Sequence, residues 1–157
     1  MATTKGFTAA GATFGIDVTN GNSYVTIGQI KTLQPTQPKW KFEDITCLSS
    51  PTQGSGVIME QMPTILDPGS YTGTAIYLPS DAGLIALRAS CNAGNLAAFS
   101  LTLPPDKVGG QSSTGDNWKF SGFVSDLVEP DTYDSSKAVT YKFTVLRNTA
   151  SAYTQGS

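Results

Sequence analysis

The sequence predicts a mostly β domain, either a β-sandwich or a partly closed barrel, with one flanking α-helix. Among 157 residues there are 16 Gly and 9 Pro, a composition that favours many strands joined by tight turns. Most segments between these turns alternate apolar and polar side chains, the period of a strand with one buried face. One segment has a helical pattern with caps at both ends. A chain of this length can bury roughly 70% of its unfolded surface, so a single domain over residues 1–157 is expected.

The first strands surround a turn signal. Residues 13–18 and 23–33 alternate on either side of Asn20-Gly21-Asn22, which predicts a hairpin. Residues 37–46 form the next predicted strand. Its aromatic side chains, Trp40 and Phe42, point to one face and its charged neighbours to the other, so the strand is expected to be half-buried with Trp40 in the core.

A long segment, residues 47–68, follows that strand. It has turn residues at both ends and an apolar middle. Loops longer than about 12–15 residues are usually functional or disordered, and apolar residues on one suggest that a partner covers them. We therefore predict an assembly loop, although a short strand or flap folded over the domain's own core is an open alternative. The expected inter-subunit residues are Pro51, Val57, Ile58, Met59 and Met62.

The one predicted helix follows a further strand over residues 70–78. Asp81 in Pro79-Ser80-Asp81 supplies the N-cap, and the helix is expected to end near Asn92 and Gly94. One face is apolar, so the helix should dock lengthwise on a sheet. That face carries Leu84, Leu87 and Cys91.

The last predicted strands are the longest, residues 117–129 and 138–148, after a shorter strand at 95–103. We expect a long hairpin stabilised by aromatic and β-branched cross-strand pairs. The first has Trp118, Phe120, Val124 and Val128 on one face, and the second has Val139, Tyr141, Phe143 and Val145. Residues 1–12 are expected to form an N-terminal arm, and residues 149–157 a mobile polar tail.

Composition argues against several classes of function. The chain has no His, so the commonest general acid or base of enzymes is missing. Its net charge of −2 and its scattered basic residues are unlike the basic patch of a nucleic-acid-binding surface. Cys47 and Cys91 lie far apart without metal-ligand or redox spacing, so buried free thiols are expected, with a disulfide as the alternative. Asp44 is the best single candidate for acid/base catalysis among the carboxylates, but its expected role is to bond nearby backbone at a strand end. No catalytic residue, metal or cofactor is predicted, and no membrane span, since the longest apolar run stops at Arg88.

A resemblance emerges from the order of short signatures. These are Gly11-Ala12-Thr13-Phe14, the strand residues 24–30, Asp44-Ile45-Thr46, Asp67-Pro68-Gly69, the capped helix and a closing strand pair. Together they resemble the major tail tube protein of long, flexible-tailed bacteriophages of the lambda type, over residues 11–148. The resemblance implies six-subunit rings that stack into the tube through which the genome leaves, and a fold similar to type VI secretion tubes. It also implies a virion protein made in the host cytoplasm, with tape-measure and tail tip or terminator proteins as partners.

A conduit for DNA needs a wall to which DNA does not adhere, because each phosphate neutralised by Lys or Arg adds affinity. Acidic strand residues would suit that wall, although they could equally be ordinary solvent-facing carboxylates. The candidates are Glu43, Asp44, Asp126 and Glu129.

Two other functions stay open. A ligand-binding β-sandwich of the carbohydrate-binding type could use Trp40, Trp118 and Tyr71 as a stacking platform, whereas the alternation of both tryptophans favours a place in the core. A tail terminator or another tube-related phage protein would share the fold but form a single ring, while a tube protein needs complementary upper and lower surfaces.

Overall fold

The computed structural model of the chain describes residues 10–130 and 134–157, so residues 1–9 of the expected N-terminal arm lie outside the described residues. Twelve strands and one helix form within the described ranges. In chain order they are β1 Thr13–Asp17, β2 Val25–Thr26, β3 Ile30–Pro35, β4 Lys39–Asp44, β5 Thr52–Gln53, β6 Gly56–Val57, β7 Gln61–Asp67, β8 Ser70–Ile76, α1 Ala82–Ala93, β9 Ala97–Thr102, β10 Asn117–Val128, β11 Thr140–Arg147 and β12 Ala152–Thr154.

Eight strands form one antiparallel sheet in the order β2-β1-β9-β10-β11-β8-β3, with β12 also paired to β10. The sheet curls over on itself without closing, which confirms the predicted mostly β sandwich with one helix. The curl is visible in the core: Phe14 of β1 lies 5.9 Å from Tyr71 of β8 and 6.1 Å from Phe143 of β11, between ring centroids. Phe99 and Phe120 stack beside them at 5.4 Å. Five aromatic rings therefore join the two layers.

The predicted strand over residues 23–33 is wrong as a single element. Its first part, β2, pairs with β1 as the hairpin predicts, through Ile16 and Val25. The chain then leaves this edge, Ile27 enters the core, and Gln29 takes a positive φ of 51°. Because a positive φ interrupts an extended strand, β3 starts anew and pairs with β8 at the opposite end of the sheet.

The helix forms where its caps predict. The Asp81 carboxylate accepts hydrogen bonds from the backbone N–H groups of Gly83 and Leu84, at 3.4 and 3.3 Å. It also accepts one from Gly28 at 3.2 Å, which ties the helix start to the β2–β3 connection. Leu84 is fully buried and Cys91 packs at the edge of the core. Among the residues that the structure describes, no helix has the length and apolar character needed to span a membrane.

The long β10–β11 hairpin is also confirmed, with one change of face. A bulge between Val124 and Asp126 inserts an extra residue, so the side chains after it exchange faces. Val128, expected on the core face, is therefore exposed. In β11 the core face begins at Tyr141, and Val139, which precedes the strand, is exposed as well.

Residues 149–157, expected to be a mobile tail, contain β12, which pairs with β10 through Trp118 and Tyr153. The Asp116 carboxylate accepts hydrogen bonds from the Gly156 backbone and the Tyr153 hydroxyl, at 2.9 and 3.1 Å. The Ser157 carbonyl accepts three more from the backbone of residues 112–114. The sequence of this segment is small and polar, so its order depends on hydrogen bonds to a distant loop.

Candidate assembly surface

Residues 39–67 form an arm that is separate from the main sheet. Its two long strands, β4 and β7, pair only with each other among the described strands, from Lys39 opposite Asp67 to Asp44 opposite Gln61, and the short β5 and β6 pair with each other at the tip. The last third of the predicted loop is therefore mostly a strand, β7. The open alternative, a flap folded over the domain's own core, also differs from the structure, because all of β4 and nearly all of β7 are exposed.

Proline explains why the arm stays apart from the sheet. Pro63 lies within β7 and has no N–H to donate, which restricts it to a strand with a free edge. Next to it the register shifts, and the hydroxyl of the extra residue, Thr64, donates to the Lys41 carbonyl at 3.1 Å. Pro38 and Pro68 bracket the two strands. These prolines are the sequence signal that could have identified an isolated hairpin.

The apolar side chains of the arm are uncovered. Trp40 is 53% exposed and Phe42 58% exposed, so the expected core position of Trp40 is wrong. Strand alternation does place both rings on one face, where Trp40 lies opposite Leu66 and Phe42 opposite Pro63. Alternation signals a two-faced strand without saying what covers either face. Further exposed apolar residues of the arm are Ile45, Leu48, Val57, Ile58, Met59, Met62 and Ile65.

The arm turns at Asp44, as its predicted role at a strand end requires. Its carboxylate accepts hydrogen bonds from the Thr46 hydroxyl at 2.5 Å and the Thr46 backbone at 2.9 Å, and these bonds lower the pKa of Asp44. Thr46 in turn accepts from the Glu60 N–H at 2.8 Å, and Ile45 donates to the Glu60 carbonyl at 3.0 Å. These polar groups thereby hold together the end of β4 and the start of β7, the two strands that we call the legs of the arm.

Polar bonds also organise the tip. Ser50 is buried, accepts from the Cys47 N–H at 2.8 Å and donates to the Glu60 carboxylate at 2.5 Å. Cys47 itself is exposed, which corrects the expected buried thiol, and both Cys47 and Cys91 are free. Hydrogen bonding to Ser49 and then Ser50 lowers the pKa of the Cys47 thiol. Because the tip's interior is filled by polar contacts, its apolar side chains point outward.

The predicted inter-subunit residues all lie on this arm and all are exposed. Pro51 accepts a hydrogen bond from the Ile58 N–H at 2.7 Å across the tip. Val57 pairs with Thr52 in the small β5–β6 hairpin. Met62 lies opposite Glu43, and Met59 precedes β7. The structure thus brings these residues together on one exposed element, and their contact with another subunit stays a prediction.

Arg147, which sequence analysis did not identify, fixes the base of the arm. Its backbone N–H donates to the Gly69 carbonyl at 3.0 Å, and its Nη2 donates to the Thr36 carbonyl. Thr36 and Ser70 pair through both backbone and hydroxyl groups, at 2.7 and 3.0 Å. Both legs are therefore bonded to the end of β11, so the arm has a defined origin on the sheet.

The four candidate acidic residues lie in three different settings. Glu43 and Asp44 are on the arm and point to opposite faces of it. Glu129 forms a bidentate pair with Arg88 of the helix, at 2.9 and 3.0 Å, and its side chain is 17% exposed. Asp126 is exposed on the outer face of the main sheet, just after the β10 bulge. They do not form a single acidic cluster.

Asp126 ends a cross-strand row whose other members are uncharged polar residues. It lies opposite Thr144, which lies opposite Thr72, which lies opposite Gln34, so the row crosses β10, β11, β8 and β3. Lys142 stands in the adjacent row, opposite Val128 and Thr74. The row itself is short and polar, and the same outer face also exposes the apolar side chains of Phe123, Val128 and Leu146, while the opposite face of these strands forms the core.

Solved structures share this fold. A chain in the tail of an empty gene transfer agent particle, refined with C6 symmetry, has a TM-score of 0.67 at 13% identity, over 95% of this chain and 99% of that one. A chain in the sheath–tube complex of an extracellular contractile injection system has a TM-score of 0.62 at 13% identity, over 92% of this chain and 88% of that one. A chain of the SPP1 tail tube has a TM-score of 0.62 at 12% identity, over 93% of this chain and 76% of that one. No family model and no curated protein sequence matches the chain.

Proposed function

We propose that this chain is a tail tube protein, whose six-subunit rings stack into the conduit for genome delivery from a phage-like particle. The main support is the fold shared along nearly the whole chain with proteins of tails and injection tubes. Identity is low, so the proposal rests on fold together with the surfaces that follow. Its expected partners are other copies of itself, a tape-measure protein and tail tip or terminator proteins; it would be made in the host cytoplasm and incorporated into the virion.

The arm is the first surface that supports assembly. Monomeric proteins rarely leave a large contiguous apolar patch in water. Here an anchored hairpin presents Trp40 and Phe42 on one face and further apolar residues at its tip. Aromatic residues are enriched at interfaces because they bury much area in few rotamers. A second copy of the chain, in the same or the next ring, is the proposed cover, with Pro51, Val57, Ile58, Met59 and Met62 in the contact.

The edges of the main sheet are the second surface. The sheet ends in β2 on one side and β3 on the other, and neither has a further strand partner among the described residues. Such edges offer unpaired backbone donors and acceptors to another chain. In a ring, each subunit would place its sheet edge beside that of its neighbour, and the closed ring would then leave no exposed edge.

The outer row through Asp126 is our proposed lumen wall. Its Thr and Gln side chains neither attract phosphate strongly nor present apolar surface, and Asp126 repels phosphate. Among the four sequence candidates Asp126 suits this role best, because Glu129 is neutralised by Arg88. Glu43 and Asp44 belong to the arm, where contact with another subunit is the proposed role.

Negative-stain electron microscopy of the purified protein over a range of concentrations, with light scattering for mass, tests the proposal. Hollow tubes or stacked rings are the expected result. Isolated rings that never stack would favour a terminator, a role for which one fold match, to a structure of an anti-feeding prophage tube terminating cap, gives some support. A monodisperse monomer at every concentration would count against self-assembly and would favour a ligand-binding module, with the exposed Trp40 as the first residue to examine.

A further inference from the structure

Arg147 is buried but has no carboxylate partner among the described residues. It is 9% exposed, and the ion pairs in the described ranges join Arg88 to Glu129 and Lys137 to Asp134. Its Nη1 donates to the Ser151 hydroxyl at 3.0 Å and its Nη2 to the Thr36 carbonyl, while its Nε has no partner. The guanidinium lies 5.1 Å from the centre of the Tyr71 ring. Three of its five N–H donors therefore have no acceptor here.

A charge in this position is unusual. Guanidinium groups stay protonated in proteins, and burying one without a counter-charge is unfavourable even when neutral groups solvate it in part. The contrast with Arg88 is informative, because that side chain is 40% exposed and yet has a bidentate carboxylate. In this chain the more exposed arginine is paired and the buried one is not. A missing acceptor from outside the subunit would explain the difference.

A hollow of about 300 Å³ gives access to this region. Among the residues that line it, Arg147 alone carries a charge, and the rest of the wall is aromatic, proline, alanine or neutral and polar. Trp118 and Tyr153 form one side, with ring centroids 5.4 Å apart. The space would hold one side chain with a short apolar stem and an anionic end. The lining is Pro35, Thr36, Gln37, Pro38, Tyr71, Trp118, Arg147, Ala150, Ser151 and Tyr153.

We propose that this hollow is a carboxylate-binding site that receives an Asp or Glu side chain from a second copy of the chain. The inference rests on the proposed tube function. Charge complementarity supports an acidic side chain as the ligand, because Arg147 is the one charged residue that lines the hollow. A second copy offers such a side chain in Glu43, which is exposed on the arm, the proposed subunit contact, and makes no ion pair in the described ranges. Since Arg147 also holds the base of the arm through Thr36, a carboxylate bound here would link arm position to subunit contact.

Mixed isotope labelling of assembled tubes tests the site directly. Tubes are grown from equal amounts of subunits labelled only with ¹⁵N and subunits labelled only with ¹³C, so any nitrogen-to-carbon transfer in solid-state NMR crosses a subunit boundary. The expected result is a signal between a guanidinium nitrogen and a side-chain carboxyl carbon. Arg88 and Arg147 are the arginines of the sequence, and Arg88 is satisfied within its own subunit. The signal should therefore vanish in Arg147→Lys tubes and persist in Arg88→Lys tubes.

The outcomes separate this inference from the function on which it rests. Tubes that form but show no guanidinium–carboxyl signal between subunits would overturn the carboxylate site and leave the tube function intact. A signal that survives Arg147→Lys would overturn it too. If no tubes form, the proposed tube function is overturned, and the carboxylate site that rests on it is overturned with it. Titration of unassembled subunits with acetate distinguishes the source: an Arg147 Hε shift with acetate, combined with tubes lacking the signal, would indicate a site for free anions and refute the role of a second copy.

Discussion

The ring of Phe143 occupies the space above Gly73, its directly opposed cross-strand neighbour in the β8–β11 pair. A Cβ at residue 73 would lie 2.7 Å from Cε1 of that ring, and closer still to Cζ. Phe143 in turn lies 6.1 Å from Phe14, which belongs to the other layer of the curled sheet. Because residue 73 has no side chain, the Phe143 ring can lie against the backbone of β8 and still contact Phe14 in the other layer.

We expect Gly73→Ala to destabilise the fold by about 1–3 kcal/mol, the range seen when a packed core must accept an extra methyl group. Chemical denaturation measures the change. Gly56→Ala is the matched control, because a Cβ there would meet nothing closer than 3.9 Å and should leave stability within about 0.5 kcal/mol. Equal stability of the two variants would mean that the Phe143 ring moves aside without loss.

The aromatic face of the arm should matter to assembly and not to folding. In the double variant Trp40→Ser with Phe42→Ser, tube formation should be lost while the free energy of unfolding stays within about 0.5 kcal/mol, since both side chains are exposed in the subunit. Electron microscopy and a denaturation curve on the same preparation measure the two effects. Val108→Ser, at an exposed apolar residue outside the arm, is the control and should still form tubes. A cooperative transition lost along with assembly would place the rings in the subunit's own core.

The place of Asp126 on a lumen wall can be tested by access to a reagent. In a Cys47→Ser background, Asp126→Cys should react with a small maleimide both before and after assembly. A maleimide carried on a protein too large to enter the tube should label the subunits but not the tubes. Labelling of the tubes by both reagents would put residue 126 on the outside, and labelling by neither would put it in an interface. The Cys47→Ser parent measures any contribution from Cys91, which is half-buried.

The sequence predicts the core better than the surfaces. Alternation in β10 and β11 places Phe120 and Phe143 correctly, because the period of two depends on local backbone geometry alone. The Asp81 cap is equally local, and the helix begins there. The bulge beside Val124 cannot be inferred from the period, since it requires knowledge of the partner strand, and every face assigned after it is reversed.

The arm shows a different limit. Alternation in β4 correctly separates Trp40 from Lys41, yet one sequence does not reveal whether the apolar face meets the subunit's own core or another chain. Arg147 was missed because a single basic residue at the end of a strand has no distinctive pattern. Its significance appears once Thr36 and Gly69, distant in sequence, are seen beside it.

The C-terminal segment should be released by acid before the core unfolds. A hydrogen bond from the Gly156 backbone, with further bonds from Gln111 and Tyr153, lowers the pKa of Asp116 below its usual 3.8. A group whose folded pKa is lowered contributes stability above its unfolded pKa, and that contribution is lost as the pH falls through the folded value. Docking of residues 152–157 should therefore be complete at neutral pH and weaken below about pH 4.

Amide NMR spectra recorded from neutral to acidic pH measure this release. The Gly156 and Ala152 amides should shift toward positions typical of unstructured chain while the amide of Phe99, in the core, keeps its position. In Asp116→Asn the segment should dock more weakly at neutral pH, because a neutral amide accepts the Gly156 hydrogen bond less strongly than a carboxylate. That variant should also lose the pH dependence. Acid shifts of the same size in Asp116→Asn would assign the release to another carboxylate.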